Sequence, residues 1–267
     1  VSTGHPAAAA GDQGNWLHRL APVPEPRARL VCFPHAGGTA AFYRPWRDHL
    51  PPGVELYAVQ YPGRLDRLCD PCIDDMDLMA DSAAAAVTRL ADRPVLLFGH
   101  SLGAVVAYEV ARRLPAGSRR RLAGLAVSGR AAPDRQKPSA IHLASDDEIW
   151  DEIRRLGGTR QEVLDDAELR RAFLPALRSD YRLSERYLAR PGPPLDCPVT
   201  ALTGDRDPDA APQDVREWSR STRAGFRFRV FPGGHFYLTS HLAEVTDEVL
   251  GRLAGGIQLV SPGWAGP

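Results

Sequence analysis

The chain has 267 residues, 43% of them hydrophobic, with 33 basic and 33 acidic side chains; that is enough apolar material for one sizeable core, and chains of this length still form single domains. A formal net charge of zero lacks the basic excess that nucleic acid or an anionic membrane surface requires, so neither is an expected partner. Cysteines stand at 32, 69, 72 and 197, and the one close pair, Cys69 and Cys72 in RLCDPCIDD, has neither the second ligand pair of a zinc site nor the strand-to-helix setting of a redox motif.

Free thiols in a reducing cytoplasm, with no metal, are therefore expected. The opening VSTGHPAAAAGDQG, residues 1–14, has no positive n-region or apolar h-region, so it reads as a poorly ordered tail and not as a secretory leader. Apolar runs then recur as strands: RLVCFP (29–34), VELYAVQYP (54–62), PVLLFGH (94–100), LAGLAVSG (122–129), PVTALTG (198–204) and FRFRVFPG (226–233). Most are continuous and not alternating, as strands covered on both faces are. Helical patterns lie between them at 74–92, 103–114, 212–222 and 241–253, and this alternation predicts a mostly parallel α/β sheet with helices on both faces. FRFRVF does alternate, which suits a half-exposed edge. Arg119-Arg120-Arg121 reads as a solvated corner.

From Ser145 to Leu188 the chain is helical and amphipathic with no strand inside it, far longer than one crossover needs. A helical lid inserted at about 140–190 into one domain spanning 15–254 accounts for it, with residues 255–267 as a second tail. No apolar run reaches membrane-spanning length, and a cytoplasmic monomer is expected.

GHSLG at 99–103 fits G-x-S-x-G with a strand before it and a helix after it, the setting that gives the motif meaning. Ser101 on that turn would present its hydroxyl over a helix N-terminus, where developing negative charge is favoured. A serine hydroxyl needs a base, and the base an acceptor that orients it. His235 in FPGGHFYL, just past the last strand, is the candidate base; His142, before the lid, and His241, opening the last helix, are its rivals. LTGDRDPDA offers Asp205, Asp207 and Asp209 as acids, among which spacing alone does not choose, although Asp205 has an alternative task in bonding turn amides. Two backbone amides would complete an oxyanion hole, one from Leu102 and one from the loop FPHAGGTAAFY, most simply that of Ala36.

Taken together, FPHAGGTAAFYRPWRDHLP, QYPGRLDR, GHSLGAVVAYEVARRL, LTGDRDP and FPGGHFYL resemble the type II thioesterases that accompany polyketide and nonribosomal peptide synthetases, over roughly residues 15–253. The resemblance implies an α/β-hydrolase fold, a triad of Ser101, Asp207 and His235, and oxyanion amides at Ala36 and Leu102. It implies hydrolysis of stalled or wrongly primed acyl groups from the phosphopantetheine thiol of acyl or peptidyl carrier proteins, with no cofactor held by this chain. Leu102 stands where many members have methionine, and Leu65 interrupts a usually polar stretch, with a consequence expected for the pocket wall. A general carboxylesterase shares every one of these residues. A chain-releasing thioesterase domain and a non-catalytic scaffold are further alternatives. Arginines 154, 155, 170 and 171 in the lid are expected to meet an acidic carrier.

Overall fold

In the computed structural model, residues 16–159 and 161–254 are described, so the tails read at 1–14 and 255–267 lie outside the described residues. Strands β1 (Leu17–Ala21), β2 (Ala28–Phe33), β3 (Val54–Val59), β4 (Val95–His100), β5 (Leu122–Ser128), β6 (Val199–Gly204) and β7 (Phe226–Phe231) form one sheet in the order β1-β3-β2-β4-β5-β6-β7. Every pairing is parallel except β1 against β3. This is the α/β-hydrolase arrangement.

Helices α1 (Met76–Thr88), α2 (Leu102–Arg113), α3 (Ala116–Arg119), α4 (Asp146–Leu156), α5 (Gln161–Asp165), α6 (Ala167–Glu185), α7 (Pro212–Arg216), α8 (Tyr237–Ser240) and α9 (Leu242–Ala254) complete it, with a 3-10 segment at Ala40–His49. The central strands are apolar throughout because each face has its own core. On β4, Val95 and Leu97 join the core beneath α1 and α2, while Leu96 and Phe98 join the core beneath the 3-10 segment and α9, as the two-residue period of a strand dictates. Helix α1 starts at Asp75, whose carboxylate accepts from the Leu78 amide at 2.8 Å, a capping bond that relieves one orphan donor of the first turn.

Strand β1 is absent from the sequence reading. It is five residues, LHRLA, at the sheet's edge, and its polar His18 and Arg19 leave no run or alternation to detect. The runs at 54–62 and 226–233 end earlier than read, at Val59 and Phe231, ahead of Pro62 and Pro232. The pattern at 212–222 is one turn of α7 followed by a tighter 3-10 segment, Glu217–Ser221, that seats Trp218 in the core with its indole donating to the Arg130 carbonyl at 2.8 Å. Strand β7 is the far edge, and its outward Arg227 and Arg229 both pair with Glu248 of α9.

Between β5 and β6 lie α4, α5 and α6, which share a small core of Ile149, Trp150, Ile153, Leu164 and Leu177. Helix α4 opens on a reciprocal capping box between Ser145 and Glu148. Among the described residues no helix is long and apolar enough to cross a membrane.

The sheet order reverses between β2 and β4, since β3 lies to one side of β2 and β4 to the other. The segments that leave the carboxyl ends of these two strands run to opposite faces, which opens a crevice between them, the place where open α/β sheets bind ligands.

Candidate active site

Ser101 stands at that crevice, in the single step between β4 and α2, with φ 55° and ψ −119°. A non-glycine residue there carries strain of about 1–3 kcal/mol, which persists only where the surroundings enforce it. They do so at both flanks. A β-carbon on Gly99 would lie 2.0 Å from the Gly103 carbonyl oxygen, and one on Gly103 would lie 2.0 Å from that of Phe33. The Ser101 amide is held by the Ser128 carbonyl at 2.8 Å. The turn thus sits wedged against β2 and β5, with the serine side chain leading into a cavity and the first amides of α2 beneath it.

That cavity, about 60 Å³, is lined by Ser101, Leu102, Ala36 and His235, with Ile153 and Phe236 among its apolar walls. His235, 3% exposed, follows β7; its Nδ1 is 2.9 Å from Asp207 Oδ2. A carboxylate only accepts, so Nδ1 carries the hydrogen and Nε2 keeps a free lone pair. Asp207 Oδ1 in turn accepts from the amides of Asp209 and Ala210 at 3.0 and 3.2 Å. Burial opposes the Asp207 charge, but the His235 hydrogen bond, the neighbouring imidazole and these two amides together hold its carboxyl below the usual carboxylate range.

The other acids are occupied elsewhere: Asp205 accepts from the Gly233 amide at 2.7 Å, in the turn role open to it, and Asp209 pairs with Arg155 at 2.6 Å. His142 is bonded to Glu185 and His241 to the Pro232 carbonyl, neither of them on the cavity wall. A hydroxyl, an imidazole with a free nitrogen and a carboxylate behind it can deliver a serine alkoxide to a carbonyl.

Two sets of residues here escape sequence reading. One is the layer under His235: His100, whose ring centroid is 4.9 Å away, bonds Ser128 Oγ at 2.9 Å, and Ser128 bonds the Tyr237 hydroxyl at 2.7 Å. His35 packs edge-on against Phe42 and Phe236 on the other side. Burial, with the neighbouring imidazoles, drives His100 well below the ordinary histidine range, and burial, with His235 and Arg64 close by, takes His35 to about 3.

The second set is an ion pair sealed from water. Arg64 and Asp180, 2% and 0% exposed, meet through two bonds of 2.7 and 2.9 Å; Asp180 also accepts from the Gly37 amide at 2.7 Å, and Arg64 donates to the Gly38 carbonyl at 3.2 Å. Helix α6 is thereby fastened to the loop that carries Ala36. The fit is close: Gly37 has φ +72°, and a β-carbon on it would lie 2.5 Å from Leu177 of α6. A charge buried without its partner costs about 3–5 kcal/mol, whereas apolar replacement of both partners is often neutral. Asp180→Ala should therefore lose stability on that scale in urea unfolding, and the double variant Arg64→Met/Asp180→Leu should lose less; equal losses would mean that the pair's charge is not what matters. The signal was present in the GR of QYPGRLDR, but its partner lies 116 residues away.

Leu65 does not shape the cavity. It is 52% exposed on a turn with φ 49° and faces solvent. Of the arginines of the insertion, Arg154, Arg155 and Arg170 pair with Asp151, Glu152 and Asp147 of the same insertion. Cys69 and Cys72 are free thiols, and Cys72 packs against Gly63, where a β-carbon would lie 2.2 Å from its sulfur.

A family model described as a thioesterase domain matches residues 28–253. The chain is 45% identical over 243 residues to the thioesterase PikA5 of Streptomyces venezuelae, covering 91% of this chain and 86% of that protein. Among solved structures, the type II thioesterase BorB of the borrelidin biosynthetic cluster matches with a TM-score of 0.82 at 42% identity, covering 91% of this chain and 98% of the other. RedJ, a thioesterase of the prodiginine pathway in Streptomyces coelicolor, matches with a TM-score of 0.76 at 40% identity, covering 85% and 90%.

Proposed function

The chain belongs to the thioesterase family, among the type II thioesterases of polyketide and nonribosomal peptide synthesis, and from that premise we propose that it is an editing enzyme that frees carrier proteins of stalled or wrongly primed acyl groups through a Ser101–His235–Asp207 triad. The observation that carries this reading is the strained Ser101 sharing one small cavity with His235, which Asp207 backs at 2.9 Å.

His235 Nε2 takes the proton of Ser101 Oγ as the oxygen attacks the thioester carbonyl. The resulting oxyanion is held by the amides of Ala36 and Leu102; the latter is the first residue of α2, whose N–H has no acceptor within the helix. Collapse expels the carrier's thiolate, which receives the proton from His235. A thiol, with a reference pKa near 8.5, leaves more readily than an alcohol. Water then gives a proton to His235 and attacks the acyl-enzyme, and the free acid departs as Ser101 recovers its proton. These steps draw on side chains, backbone amides and water; phosphopantetheine enters with the acyl or peptidyl carrier protein as part of the substrate. A soluble cytoplasmic monomer belongs to the same reading.

Hydrolysis of one short acyl group presented on a carrier protein and as an oxygen ester tests it, with Ser101→Ala as the blank. Preference for the carrier thioester in kcat/KM is expected, and equal or better cleavage of the ester would return the chain to a general esterase. Burial takes His35 to about 3 and so keeps it neutral across the working pH range, and His35→Asn should leave the slope of the acid limb of kcat/KM unchanged; a changed slope would assign His35 to the reaction.

A further inference from the structure

Arg130 follows β5 at its carboxyl end, next to the serine turn, with its backbone carbonyl anchored by Trp218. Arg130 lines the 60 Å³ cavity that holds Ser101 and also a neighbouring cavity of about 320 Å³; Tyr181, Ser184 and Asp209 are the other walls the two share. For a cation in such a place it has few partners. NH2 makes one long bond, 3.4 Å, to the Ser184 carbonyl, and Nε is buried with no acceptor. Among the described residues it forms no ion pair, and the carboxylates around it are committed elsewhere. Asp209 and Glu152 are both held by Arg155, at 2.6 Å each, and Glu185 accepts from the amides of Ile141 and His142 at 2.7 and 3.0 Å.

Burial lowers this guanidinium only to about 10, so it is charged at neutral pH. The carboxylate on the wall of the catalytic cavity, Asp209, acts on the guanidinium through its charge but is bonded to Arg155, while His35 is neutral and Ile153, Leu156, Leu102 and Phe236 are apolar. A desolvated charge with spare donors is unfavourable unless something accepts from it. The thioester's own oxygen is taken by the two backbone amides in the reading above. An oxygen borne by the acyl chain close to the thioester would supply that acceptor.

We propose that Arg130 is a specificity-determining residue that binds oxygen at the third acyl carbon, so that 3-oxoacyl or 2-carboxyacyl thioesters are preferred over fully reduced chains. This rests on the thioesterase reading of the site. The larger cavity beyond Arg130 would take the remainder of a longer oxygenated chain.

Butyryl, 3-oxobutyryl and malonyl groups on one carrier protein test it, with kcat/KM for each divided by its rate of hydroxide hydrolysis so that intrinsic reactivity cancels. The wild type should favour at least one oxygenated group by about tenfold or more, the size of a hydrogen bond to a charged group, and the pair of oxygenated probes tells ketone from carboxylate. Arg130→Gln should bring that ratio toward one, and Arg130→Lys should keep part of it. A ratio near one in the wild type, or one that Arg130→Gln leaves unchanged because all three substrates fall together, overturns the proposal; the latter would place Arg130 on the pantetheine arm common to all three. Should Arg130→Gln not fold, product inhibition of the wild type decides: 3-oxobutyrate or malonate should inhibit about tenfold better than butyrate, and equal inhibition overturns it. Butyryl hydrolysis without preference refutes this proposal alone, whereas no hydrolysis of any carrier-bound group refutes the thioesterase reading with it.

Discussion

Ser101→Ala is expected to lower kcat on a carrier-bound acyl thioester by about a millionfold, the loss seen when a triad enzyme gives up its nucleophile. The covalent step disappears, and what survives is the help that two amides and a bound substrate give to water. The loss should be catalytic and not structural. The turn is held by the Ser101 amide on the Ser128 carbonyl and by the glycine contacts on either side, which alanine keeps, so thermal unfolding should match the wild type. A variant that retained a tenth of wild-type turnover would remove Ser101 from the reaction.

Asp207→Asn should cost about ten-thousandfold in kcat. The carboxylate only accepts, which keeps the hydrogen on His235 Nδ1 and leaves the lone pair on Nε2. An amide can donate in its place, turn the imidazole to the other tautomer and leave Nε2 with a hydrogen where a base is required. Asp205→Asn is the matched control. It stands two residues away but serves the Gly233 amide, so it should disturb the turn and unfolding more than turnover. Wild-type activity in Asp207→Asn would move the acid to another residue.

The lid segment shows where sequence reading stops. Its helices follow from amphipathic spacing, and its charge from composition. Arg154 and Arg155 pair inside α4 with Asp151 and Glu152, three residues before each, a spacing already legible in the sequence, whereas the pairing of Arg170 with Asp147 depends on how α4 and α6 lie against each other. Leu65 is similar: its place after YPGR suggested the pocket, and a left-handed turn points it to water.

By itself the sequence determined the parallel sheet, because strands buried on both faces must be apolar at every position, and it determined Ser101 and His235 as candidates, because each is a local signature of strand, turn and helix. Spacing left Asp205, Asp207 and Asp209 open and the resemblance pointed to Asp207; the tertiary structure shows that Asp207 is the one that meets His235, a contact that spacing alone does not give because three aspartates within five residues differ in direction and hardly in spacing. The tertiary structure alone brought Arg64 to Asp180 and left Arg130 short of partners beside Ser101. Those relations join residues 28 to 116 apart, and no local pattern records a contact whose two halves are chosen by the packing of different elements.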